Sequence, residues 1–174
     1  MTQHTTFDVE PEDAQGPLVL AVDVGSTATR GAVHDATGRP LGKRVKVEHS
    51  FTTGADGTST IDADQVADEV AEVITRLAQR DHGAPLAGVA MDTFAASLVG
   101  VGAGGRALTP CSTYADSRCA AQVGELRERL DEAVVQQRTG TRLHTSYLAP
   151  RLLWLQETRP DVVAQVSTWM SLGE

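Results

Sequence analysis

Residues 20–35, LAVDVGSTATRGAVHD, bring an acid, small hydroxyl residues and a base together between Asp23 and Arg30. An apolar run ends at Asp23, Gly25, Ser26 and Thr27 turn the chain, and a second apolar run carries Arg30. Successive backbone N–H groups at such a bend form a nest for phosphate oxygens. Ser26 and Thr27 add hydroxyl donors, and Gly25 lets a ligand come close to the backbone. A carboxylate beside phosphates repels them unless a cation intervenes, so Asp23 suits Mg²⁺ and its waters. Arg30 reaches a phosphate if the strand register turns it to the same side. The competing reading is an ordinary hairpin, because Asp, Ser and Thr are common turn formers.

Three further stretches place polar groups at element ends. In MDTFAASL, Asp92, Thr93 and Phe94 follow an apolar strand, and ligands of α/β sheets gather outside strand ends. The alternative there is that Asp92 caps a turn and Phe94 packs in a core. In YADSR, Asp116 is either a helix N-cap or a ligand-side acid, and Arg118 either reaches a sugar hydroxyl or holds the loop. In RLHTSY, His144 and Tyr147 lie between helices, where polar residues are stronger functional candidates than in a core. GVGAGG, residues 100–105, fits the dinucleotide fingerprint, but RALTPCSTY follows it with Pro110 and no helical period. That fingerprint needs a helix to start at once. A hairpin tip accounts for it better. Cys111 and Cys119 make neither a disulfide framework nor a zinc spacing and read as reduced thiols.

The elements that position these groups follow from periodicity. Apolar or alternating runs at 17–23, 28–35 and 41–49, joined by tight turns, predict an antiparallel meander. Asp35, Gly38 and Pro40 supply one of those turns. DADQVADEVAEVITRLAQR predicts a helix with Val66, Val70, Val73, Ile74 and Leu77 on one face, capped by Asp62 or Asp64. A strand at 86–92 follows, then a hairpin with its tip at 102–105, then helices stopped by Gly140 and Pro160. The end reads as a helical turn and a strand at 167–172. This order predicts an α/β layered domain.

Composition sets the outer bounds. The 174 residues suit one domain. A formal net charge of −8 argues against gripping nucleic acid or an anionic membrane by basicity. No apolar run approaches the ~20 residues of a membrane span. MTQHTTFDVEPEDAQG reads as a disordered acidic leader over 1–16 rather than a signal peptide, so the cytoplasm is the expected compartment.

Taken together the segments resemble the FGGY carbohydrate kinases, most closely their gluconate kinase-like branch, within the acetate/sugar kinase, heat-shock-protein and actin superfamily. LAVDVGSTATRGAVHD is similar to the first phosphate motif. GVAMDTFAASLVGVGAGGRALTP followed by STYADSRCA resembles the strand, sugar-contacting loop, hairpin and W-x-D-x-R series. RTGTRLHTSYLAPRLLWL and WMSLGE complete the likeness, which runs from about 18 to 174.

The resemblance implies an RNase H-like α/β domain with a mixed five-stranded sheet, flanked by helices, over 17–174. It implies transfer of the γ-phosphate of Mg²⁺-ATP to a sugar or sugar-acid hydroxyl. Asp23 would meet the Mg²⁺ shell, and Gly25, Ser26, Thr27 and Arg30 the phosphates. Thr93, Phe94, Asp116, Arg118 and His144 would face the sugar. The chain departs from the family at Ala96, where a His is usual, at Ala95, usually Met or Trp, and at Tyr114, usually Trp. Such kinases are about three times this long, and the resemblance places the general-base aspartate, the second phosphate motif and the adenosine pocket after residue 174. The expectation is therefore an N-terminal half-domain, inactive alone and awaiting a C-terminal kinase domain. The other expectation is a non-catalytic fragment that acts as a nucleotide-binding module, or as a partner-binding module whose uncovered apolar face favours association, a second copy included.

Overall fold

The computed structural model describes residues 8–174. The strands are β1 (Leu18–Val24), β2 (Ala28–His34), β3 (Pro40–Glu48), β4 (Thr52–Thr53) and β5 (Ser59–Ile61). Helix α1 (Ala63–Ala78) follows, then β6 (Leu86–Thr93), β7 (Val99–Val101) and β8 (Cys111–Ser112). Helices α2 (Ala120–Arg129), α3 (Glu132–Thr139), α4 (Leu148–Thr158) and α5 (Pro160–Val163) precede β9 (Thr168–Met170). Contacts divide them into two units: the residues to Ser50 with Gln65–Thr93, and Phe51–Asp64 with Phe94–Glu174.

The first unit is the expected meander plus a crossover. β1, β2 and β3 are antiparallel, and β6 joins β1 in parallel, in the order β3-β2-β1-β6. Alternation in β1 buries Leu18, Leu20, Val22 and Val24, while Val66, Val73 and Leu77 of α1 supply the helical side of this unit's core. Burying each such side chain contributes about 1.5–3 kcal/mol. Gly31 admits α1: a Cβ there would overlap Val73 and lie 2.8 Å from Leu77 Cδ1. Asp35 builds the β2–β3 turn, accepting from the Thr37 hydroxyl and from the Thr37 and Arg39 amides.

Two expectations are corrected here. Residues 8–16 were assigned to the leader, yet Val9 bridges to Leu41 and is buried, and Pro11–Asp13 form a 3₁₀ turn. An apolar residue able to dock on β3 outweighs the polar composition around it. Residues 1–7 of the leader lie outside the described residues. The sheet is mixed as expected but has four strands; β9, inside the predicted 167–172 strand, pairs with β7 instead.

The second unit holds that β7–β9 ribbon, a small β4-β5-β8 sheet and four helices. The glycine run is a hairpin tip: Gly105 N–H bonds to Gly102 O and Gly102 N–H to Arg106 O. No helix starts there, which removes the dinucleotide pattern. Asp131 caps α3 by accepting from the Ala133 and Val134 amides, and Gly140 ends it at φ 76°. Cys111 and Cys119 are unpaired and buried, and burial pushes the Cys111 thiol up to about 11.

Candidate functional site

The β1–β2 corner assembles five of the expected residues. Cα pairing runs Asp23 with Arg30 and Val24 with Thr29, and Gly25 N–H closes the turn on Ala28 O at 3.0 Å. Ser26 and Thr27 form the exposed tip, and among the described residues their backbone N–H groups have no protein partner. The Gly25 amide is thus committed to the turn. Its part is steric, since a Cβ there would lie 2.8 Å from Arg30 Nη1.

Arg30 lies on the same sheet face as Asp23. Its Nη2 donates to Thr27 Oγ1 at 3.1 Å and its Nη1 to Ala28 O at 3.4 Å, and Nη1 stands 3.7 Å from Asp23 Oδ2. That ion pair is long and its acid is 60% exposed, so Asp23 keeps most of its charge open to a cation. On β6, Asp92 is the Cα partner of Asp23, and Thr93 that of Val24. The two acids end adjacent parallel strands, about 4.8 Å apart by strand spacing. Asp23, Arg30, His34, Arg44 and Asp92 rim an open groove on this face, floored by Ala21 and Ala32. Among the described residues no cluster of three or more His, Cys, Asp or Glu could hold a metal by itself. A cation at Asp23 would be shared with phosphate oxygens and water, the usual habit of Mg²⁺.

Behind the corner lies a network that the sequence reading missed. His49 has a fully buried side chain; its Nδ1 is 2.7 Å from Glu69 Oε2 and its Nε2 is 2.9 Å from Gly25 O. Thr29 Oγ1 donates to Glu69 Oε2 at 2.9 Å, and Gln65 Nε2 to Glu69 Oε1 at 2.9 Å. Burial works to raise the Glu69 pKa, but the bonds from His49, Gln65 and Thr29 outweigh it and hold the carboxyl below its ordinary value. One signal in the sequence pointed here: Glu69 sits on the helix stripe between Val66 and Val73, where an apolar residue is expected.

The other candidates belong to the second unit and are largely occupied. Asp116 is buried and accepts from Ser59 N–H at 3.3 Å and from Arg118 Nη2 at 2.7 Å. The Arg118 guanidinium stacks 4.5 Å over the Trp154 ring. These contacts fit the loop-holding alternative for Arg118; Asp116 is not the helix N-cap of its alternative reading, because α2 starts at Ala120 with Cys119 at the cap position. Phe94 packs edge-on against Phe51 with ring centroids 5.2 Å apart, matching its packing alternative. His144 is exposed, and its Nδ1 meets Ser146 Oγ at 3.1 Å while that hydroxyl donates to Tyr114 O. Arg151 was not anticipated. Buried to 3% exposure, it donates to the carbonyls of Ala96, Thr113 and Thr145 and so ties three loops together. Ala96 takes a positive φ of 55°, uncommon for a residue with a Cβ.

Comparison with known proteins gives a consistent answer. Residues 18–174 match the model of the FGGY family of carbohydrate kinases, N-terminal domain. Gluconokinase of Bacillus subtilis is 20% identical over 156 residues, covering 90% of this chain and 30% of that protein. Xylulose kinase of Streptomyces rubiginosus is 32% identical over 152 residues, covering 86% of this chain and 31% of that one. The crystal structure of gluconate kinase from Lactobacillus acidophilus superposes with a TM-score of 0.81 at 26% identity, over 90% of this chain and 32% of its own. The chain spans about 30% of the length of the curated relatives it matches. Among the described residues no helix is long and apolar enough to cross a membrane.

Proposed function

Because the chain belongs to the FGGY family of carbohydrate kinases, as an N-terminal domain, we propose that its β1–β2 corner holds the phosphate end of Mg²⁺-ATP for transfer of the γ-phosphate to a sugar or sugar-acid hydroxyl. The observation that carries this reading is the pair of exposed amides at Ser26 and Thr27, without a partner among the described residues, beside an open carboxylate. Those N–H groups and the Ser26 hydroxyl donate to phosphate oxygens, and Arg30 adds a positive charge on the same face. Asp23 takes part of the cation's shell, and Mg²⁺ when bound lowers the repulsion between that acid and the phosphates. Relatives named for gluconate and xylulose support the acceptor class. For Thr93, Phe94, Asp116, Arg118 and His144 the proposed role is on the sugar side, with Asp116 and Arg118 acting by holding their loop.

Phosphoryl transfer depends on positioning and charge around the whole transferred group. A chain of about 30% of its relatives' length is therefore expected to release no ADP above background in a coupled assay across sugars and sugar acids. Turnover by the 174-residue chain would overturn that expectation. Mg²⁺-ATP should still bind weakly, in roughly the millimolar range of about −4 kcal/mol. Asp23→Ala or Ser26→Val should abolish the binding, and no saturable binding by the unaltered chain would refute the phosphate reading.

The open side of β6 favours a second reading, a partner-binding module. β6 is an edge strand with Val89 52% and Met91 48% exposed, and such edges pair readily with other chains. Light scattering decides it: a monomer at high concentration speaks against self-association.

A further inference from the structure

We propose that His49 is the positioning residue of the phosphate corner, turning the Ser26 amide outward by holding the Gly25 carbonyl inward. This deepens the phosphate-binding reading and rests on it for its functional meaning. The geometry starts from the peptide bond between Gly25 and Ser26. In a trans peptide the C=O and the following N–H point in opposite directions. Gly25 O is 2.9 Å from Nε2 of a fully buried His49 ring, so the Ser26 N–H points away from the interior, toward any anion at the corner. The backbone N–H of His49 pins a second carbonyl, that of Thr27, at 3.1 Å. The His49 ring therefore draws the Gly25 carbonyl dipole away from the face where an anion would sit.

The ring is oriented in turn by α1. Glu69 Oε2 faces Nδ1 at 2.7 Å, and Thr29 and Gln65 fix the carboxylate. Carboxylate and carbonyl are both acceptors, so His49 satisfies both only by donating from both ring nitrogens. The corner's shape is thus set by a helix residue distant in sequence, through a side chain that touches no ligand.

The test uses the 174-residue chain and amide-resolved ¹H–¹⁵N spectra, with inorganic tripolyphosphate and Mg²⁺-ATP as probes. In the unaltered protein, a slowly exchanging Nε2–H of His49 is expected; a bare Nε2 overturns the proposal without any variant. His49→Phe, which keeps ring volume and removes both donors, is expected to shift the Ser26 and Thr27 amides and weaken probe binding at least tenfold. His49→Gln, which keeps one donor, is expected to recover part of that loss, whereas a purely space-filling role predicts that Phe is the better replacement. Unchanged Ser26 and Thr27 resonances in a folded His49→Phe protein overturn the proposal. If neither probe binds the unaltered chain while His49→Phe still moves those amides, the positioning role stands and the phosphate reading is the one that fails.

Discussion

The two segments that look most like sites in the sequence use their polar groups in opposite ways. At the β1–β2 corner the carbonyls are tied inward, and Ser26 N–H, Thr27 N–H and the Asp23 carboxylate are left open. In the Asp116–Arg118 segment the acid is buried and the base is paired with it and stacked on Trp154. Both carry an acid and an arginine near a turn, which is why residue types alone could not separate them. What separates them is where the hydrogen bonds end. A polar group whose partners are all protein holds structure; one whose partners must come from outside is available for a ligand.

That contrast can be broken by substitution, and the largest effect lies in the second unit. Arg151→Met should destabilise by about 3–5 kcal/mol, because it takes the guanidinium donor from the buried Thr113 carbonyl and from the part-buried carbonyls of Ala96 and Thr145. Urea denaturation measures it, and a loss of less than about 1 kcal/mol, the size of a surface change, would show that these loops do not depend on the guanidinium. Next, Asp116→Asn should cost about 2 kcal/mol, whereas Asp23→Asn should stay within about 0.5 kcal/mol and affect ligand binding only. Equal effects of the two on stability would erase the distinction between the segments.

A smaller effect is expected at Ala96. Its φ of 55° suits glycine, so Ala96→Gly should stabilise by about 1 kcal/mol. A fall in melting temperature would mean that the Arg151 bond, not the backbone, sets that conformation.

The pH dependence sharpens the same comparison from the first unit. Hydrogen bonds hold Glu69 below its ordinary value against the pull of burial, and Asp35 is lowered first of all by the Thr37 hydroxyl. Folded-state values below the unfolded ones mean stability that is present above the ordinary carboxylate range and lost as pH falls through the folded values. The melting temperature should therefore hold above about pH 5 and drop below about pH 4. Glu69→Gln should flatten part of that drop; an unchanged acid limb would remove Glu69 as a source.

Much of this was legible beforehand, for physical reasons. A short apolar run marked β1, period-two alternation marked β2 and β3, and the 3.6-residue stripe marked α1, because each run is long enough to show which residues it buries. β4, β5 and β8, of two or three residues each, have no period to detect, and the stretch 51–60, which holds β4 and most of β5, read as loop. The final strand was visible, but its partner was not, since a three-residue run carries no information on which edge it joins. The corner was read from local types. The His49–Glu69 network was missed because its members are 20 residues apart: the place of Glu69 on the apolar stripe of α1 marks it as unusual, but nothing local names His49 as its partner.

The most direct test of the whole account is residue-resolved titration of the chain with Mg²⁺-ATP, following the Ser26 and Thr27 amides. The account predicts that these two signals shift first and saturate together in roughly the millimolar range, and that Asp23→Ala removes the response. Saturable binding that leaves both amides unmoved would contradict it.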